Sequence, residues 1–121
     1  MKLRIALAIL CLAAVTASAQ TFRGGIQGNV SDETGAALPG VTITATSVGT
    51  GLARTAVTDG SGNYFFSELP LGEYSVAASL TGFKTSTTKG VRVEAAASQR
   101  VNVQLSTGDL KESIEVVART P

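Results

Sequence analysis

From residue 26 onward, hydrophobic and polar positions alternate almost one for one. Ile26, Gly28 and Val30 are interleaved with Gln27, Asn29 and Ser31, and Val41, Ile43 and Ala45 with Thr42, Thr44 and Thr46. Thr55 and Val57 continue the phase, followed by Tyr64 and Phe66. The longest run sets Tyr74, Val76, Ala78 and Leu80 against Glu73, Ser75, Ala77 and Ser79. Val91 and Val93, then Val101, Val103 and Leu105, then Ile114 and Val116 complete the series. Successive side chains of a strand point to opposite faces, so each run predicts a strand with one apolar face turned inward. No apolar stripe at helical spacing is sustained over the roughly twelve residues a helix needs.

The runs are separated by residues that bend the backbone for definite reasons. Asp32-Glu33-Thr34-Gly35 offers a side-chain acceptor followed by a glycine free to take positive φ. In Leu38-Pro39-Gly40 the proline fixes φ and the glycine frees it. Asp59-Gly60-Ser61-Gly62-Asn63 predicts a tight hairpin between Val57 and Tyr64. Leu69-Pro70-Leu71-Gly72 and Thr81-Gly82 close two further corners. Short strands, apolar on one face and rich in Thr, Ser and Gln on the other, predict an all-β protein in which two antiparallel sheets pack as a sandwich.

The first residues follow a different logic. Lys2 and Arg4 precede an unbroken apolar run from Ile5 to Val15, eleven residues long, where a membrane-spanning helix needs about 20. Ala17-Ser18-Ala19 then presents small residues at the two positions a signal peptidase reads, so residues 1–19 are expected to be a signal peptide cleaved between Ala19 and Gln20. Cys11 is a poor lipidation site, because bulky Leu10 precedes it and the apolar run continues beyond it. Removing the leader takes away Met1, the single Cys and two cations, leaving eight Lys+Arg against nine Asp+Glu. The mature chain is expected to fold without a disulfide.

At the turns the sequence resembles the carboxypeptidase regulatory-like domain. The matching residues are Gly28-Asn29-Val30-Ser31-Asp32, Gly35, Leu38-Pro39-Gly40-Val41-Thr42-Ile43, Thr58-Asp59, Gly62-Asn63-Tyr64-Phe65-Phe66, Leu69-Pro70-Leu71-Gly72-Glu73-Tyr74 and Gly82-Phe83. The Leu-Pro-x-Gly-x-Tyr corner is the most specific of them. The resemblance implies a transthyretin-like, immunoglobulin-like sandwich of about seven strands over residues 25–106, after a linker at 20–24. Residues 107–121 are then a final strand or a linker toward a further domain. With its leader and the tail Lys111 to Ala118, the chain also looks like the start of a TonB-dependent outer-membrane receptor. That resemblance implies export across the inner membrane and a place in the periplasm or at the outer membrane. Its expected partners are envelope proteins or further domains of the same receptor; the chain ends before any plug or barrel.

Composition narrows the chemistry. The chain has 121 residues, 16% charged and 44% hydrophobic, with 13 Gly, no His and no Trp. A formal charge of +1 gives no electrostatic footprint for nucleic acid. Zinc would have to be held by carboxylates alone, which it rarely accepts, and no imidazole is present to activate a serine. A Ser–Lys pair would have to use Lys84, Lys89 or Lys111, all in segments read as solvated turns or strand ends. Asp32 and Asp59 are the candidates for a carboxylate pair, yet each is better explained as a turn former. The 59–63 loop faintly resembles a calcium loop, with a single carboxylate and no later bidentate Glu. No catalytic set, metal site or cofactor is expected.

Binding is the remaining chemistry. Tyr64, Phe66, Tyr74 and Phe83 fit the inward phase, which leaves Phe65 and Phe22 as rings available to stack on a polysaccharide. A carbohydrate-binding module is therefore the alternative to an accessory or interaction domain, and a passive spacer the second alternative. Residues 114–117, past the Gly108-Asp109 break, complete a sheet or lead onward. The turn residues that hold the frame are Asp32, Gly35, Pro39, Gly40, Asp59, Gly62, Pro70, Gly72, Tyr74 and Gly82.

Overall fold

The structure, a computed structural model, describes residues 23–108 and 113–118. Nine strands carry it: β1 Arg23–Asp32, β2 Thr42–Ser47, β3 Ala53–Val57, β4 Asn63–Pro70, β5 Gly72–Ser79, β6 Thr85–Val93, β7 Ser98–Arg100, β8 Val103–Leu105 and β9 Ser113–Val117. They form a four-stranded sheet, in which β1 lies between β4 on one side and β7 and β8 on the other, and a five-stranded sheet of order β3-β2-β5-β6-β9. The all-β sandwich expected from the alternation is the observed fold.

The core lies between the sheets and is built from the inward phase of each strand. Ile26, Val30, Tyr64, Phe66 and Leu69 come from β1 and β4; Ile43, Ala45, Tyr74, Val76, Ala78, Val91 and Val93 face them from the second sheet. Ten of the larger side chains, Tyr74, Ile26 and Ile43 among them, are below 2% exposed, and each such burial is worth about 1.5–3 kcal/mol. Every buried side-chain nitrogen and oxygen among the described residues has a hydrogen-bond partner. Thr58 shows how: its hydroxyl donates to the Leu38 carbonyl at 2.7 Å and accepts from the Val41 amide at 2.9 Å.

Three expectations need correction. First, not every pair is antiparallel, for β1 runs parallel to β7 and β8, and β6 parallel to β9. Hairpins impose antiparallel pairing, but these partners arrive after crossing from one sheet to the other, which leaves direction free. Second, Val57 is 60% exposed, whereas Ala56 packs against the core. Register explains the slip: Ala56 lies opposite core residue Ile43 and Val57 opposite exposed Thr42. At the far edge Val116 is likewise 47% exposed. Third, β3 and β4 are not a hairpin; they belong to different sheets, and the 59–63 turn carries the chain across.

The count of nine, against about seven, has a local cause. β7 and β8 are one edge strand interrupted at Val101 and Asn102, and a separate β9 is added from the tail. At the interruption the Val101 amide still donates to the Gln27 carbonyl at 2.8 Å, but its own carbonyl turns in over Gly28. A Cβ on Gly28 would lie 1.8 Å from that oxygen, so only glycine admits the crossing. The carbonyl, removed from the ladder, accepts the phenol hydroxyl of Tyr64 instead.

Candidate functional site

The outer face of the four-stranded sheet is organised in rows by strand register. Phe65 on β4 lies opposite Gln27 on β1, and Gln27 opposite Arg100 on β7. The next row sets Asn63 opposite Asn29. One face of this sheet thus presents an aromatic ring, a guanidinium and several amides, while its other face is core.

Phe65 is 58% exposed and is the only aromatic among the described residues in the exposed class. Its ring leans over Gly25, where a Cβ would stand 3.9 Å from Cε2. Ring on glycine is a recurrent way to shield bare strand backbone. The amides are held too. Asn29 Nδ2 donates to the Ser61 carbonyl at 2.9 Å and to Asn63 Oδ1 at 3.0 Å. Asn102 Oδ1 accepts from the Asn29 amide at 3.1 Å and from Arg100 Nη1 at 3.2 Å. The Gln27 side-chain amide has no hydrogen-bond partner among the described residues.

Two shallow hollows meet at Phe65. One, of about 250 Å³, is lined by Arg23, Phe65, Ser67, Glu68, Ala96 and Ser98 among others. The other, of about 540 Å³, lies between the β3 and β4 edges and includes Gln27, Val57, Asp59, Asn63 and Arg100. Glu68 and Ala96 hold φ of 54° and 55° and are the only non-glycine residues with positive φ among those described. Both line the first hollow, and Arg23 Nη1 donates to the Glu68 carbonyl at 3.1 Å.

The turn residues sit where the chain changes direction. Asp32 Oδ1 accepts from the Thr34 amide at 2.8 Å, the Thr34 hydroxyl at 2.6 Å and the Ala36 amide at 3.0 Å. These donors, the hydroxyl foremost, hold its carboxyl below the ordinary value of 3.8. Asp59 Oδ1 accepts from the Ser61 amide at 2.9 Å and the Asn63 amide at 3.0 Å, so this oxygen closes a turn. Asp32 and Asp59 lie at separate turns, and no group of three or more His, Cys, Asp or Glu able to hold a metal occurs among the described residues. The Tyr74 hydroxyl reaches back to the Pro70 carbonyl at 2.6 Å. Gly35, Gly40, Gly62, Gly72 and Gly82 all adopt positive φ, and Pro39 leads into the Gly40 bend. Burial pushes the phenols of Tyr64 and Tyr74 above the ordinary tyrosine value.

Of the lysines weighed as partners for serine, Lys89 pairs with Glu115 at 2.6 Å on the surface, and Lys84 lies half-buried with its methylenes against Gly108. Lys111, Phe22, Ala19 and Gln20 lie outside the described residues. The structure therefore sets Phe65 beside Gln27, Arg100, Asn29 and Asn63, none of which the sequence marks as a binding residue. Register across three strands is what brings them together.

Comparison with known proteins agrees with this architecture. The family model for the carboxypeptidase regulatory-like domain matches residues 25–106. The TonB-dependent transporter Oar of Myxococcus xanthus is 35% identical over 81 residues, which is 67% of this chain and 8% of that protein's length. Among solved structures, the TIE protein of Bacillus anthracis superposes with a TM-score of 0.61 at 18% identity, covering 71% of this chain and 17% of that one. A protein from Bacteroides uniformis described as a putative carbohydrate binding protein gives 0.55 at 20% identity, covering 67% of this chain and 40% of that one. At such identities the structural likenesses speak to the fold alone.

Proposed function

The chain belongs to the carboxypeptidase regulatory-like domain family, and from that premise we propose that it is a non-enzymatic accessory domain on the periplasmic side of a TonB-dependent outer-membrane receptor. The observation that carries this reading is the 35% identity with a stretch of the Myxococcus xanthus transporter. The chain spans a small fraction of that protein, 8%, so transport itself is ascribed here to other parts of such a receptor. In the same reading residues 1–19 direct export, Gln20 begins the mature protein, residues 20–24 link it to the sandwich, and residues 107–121 lead toward the receptor's next domain. No helix among the described residues is long and apolar enough to cross a membrane.

Cell fractionation tests the proposal, using an antibody raised against residues 20–121. A band many times the 12.3 kDa of this chain, in the outer membrane, supports a receptor domain. A band just below that mass in the soluble periplasm refutes the receptor and leaves a free-standing secreted module. Material confined to the cytoplasm overturns both.

A further inference from the structure

We propose that the outer face of the four-stranded sheet is a glycan-binding surface on which a chain of pyranose sugars crosses Phe65. This goes beyond the accessory-domain reading and does not depend on it. A pyranose with equatorial hydroxyls has two chemically distinct aspects: flat C–H faces and a rim of vicinal hydroxyls. The row Phe65–Gln27–Arg100 offers a counterpart to each. The exposed ring takes the apolar face, as aromatic platforms in binding sites do. The Gln27 amide and the Arg100 guanidinium, planar and two-pronged, bridge neighbouring hydroxyls.

Three features distinguish this row from an ordinary solvated sheet face. The Arg100 guanidinium is already hydrogen-bonded to Asn102 Oδ1 before any ligand arrives, which lowers the ordering cost of its share of the binding. The ring stands between two hollows, and the larger, at about 540 Å³, falls within the about 300–1,000 Å³ of small-ligand sites. A linear chain passing from one hollow to the other must cross the ring. The smaller hollow is also where both non-glycine residues of positive φ occur; such backbone is costly and gathers at sites of function. The occupant is saccharide rather than nucleic acid, because the chain's formal charge is only +1.

The test is a ¹⁵N NMR titration of residues 20–121 with cellohexaose, xylohexaose and polygalacturonate. The proposal requires that at least one probe shift the amides of Gln27, Phe65 and Arg100, with binding weakened at least tenfold in Phe65→Ala and severalfold in Gln27→Ala. Val48→Ala, in the β2–β3 loop, serves as a control that leaves affinity unchanged. All three variants should keep the wild-type melting temperature within a few degrees, so lost binding is not lost folding. Absence of shifts with all three probes at millimolar concentration overturns the proposal, as does binding indifferent to Phe65→Ala. Shifts at Phe65 that track protein concentration without sugar would make the face a contact between copies, and also overturn it. Membrane fractionation is a separate readout, so either proposal can fail while the other stands.

Discussion

Replacing Tyr64 by Phe removes one oxygen and isolates one interaction. The Tyr64 hydroxyl donates to the Val101 carbonyl, which has left the β1 ladder to cross over Gly28. The ring itself is 4% exposed and meets Phe66 edge-on, with centroids 6.0 Å apart; that packing survives the substitution. The loss is confined to the partner of a buried carbonyl, a change that costs about 1–3 kcal/mol. Losing the whole side chain in Tyr64→Ala should cost more, about 3–5 kcal/mol. For a domain near 100 residues each kcal/mol moves the melting temperature by roughly 4–8 °C. Urea unfolding monitored by far-ultraviolet circular dichroism measures both values, and the m-value should stay constant because the surface exposed on unfolding hardly changes. A Tyr64→Phe penalty below about 0.3 kcal/mol would refute the reasoning. It would mean that water, or a shift of the edge strand, satisfies the carbonyl at no cost.

Gly28→Ala should destabilise by about 3 kcal/mol or more in the same urea unfolding assay, since its Cβ meets backbone that cannot swing aside. Gly60→Ala, with nothing within 4 Å of the added atom, should stay within about 0.5 kcal/mol. The Tyr64 phenol is held protonated by burial, so the unfolded chain gives up its proton first as pH rises. Stability from this group is therefore complete below about pH 10 and falls above it by about 1.4 kcal/mol per unit; alkaline unfolding midpoints of wild type and Tyr64→Phe should converge with rising pH. Asp32 should titrate below 3.8 by carboxyl ¹³C NMR, and Thr34→Ala, which removes the leading donor, should bring it back toward that value.

Strand phase was legible wherever one face of a strand meets core and the other meets water. Ile26 to Val30 and Tyr74 to Leu80 could be assigned from alternation because a slip of one residue would bury Gln27 or Glu73. β3 could not. In Ala53-Arg54-Thr55-Ala56-Val57 the more apolar phase, Val57, points outward, and register beside Ile43 turns the smaller Ala56 to the core instead. Parallel pairing of β7, β8 and β9 was invisible because turn residues encode only local reversals. Phe65 announced itself by being out of phase, yet Gln27 and Arg100 did not, for nothing in their own neighbourhoods differs from ordinary surface. Their meaning arises from partners far away along the chain.

The two tyrosines of this tryptophan-free chain each donate a phenol hydroxyl to a backbone carbonyl, Tyr64 to Val101 and Tyr74 to Pro70. One secures an interrupted edge strand, the other the corner between the two sheets. All ultraviolet emission and absorbance near 280 nm therefore comes from two reporters planted at two different joints of the sandwich. Removing one hydroxyl-bearing ring leaves a protein whose intrinsic light signal reads the other joint alone. Opening of the edge and opening of the corner can then be timed separately, with no dye attached.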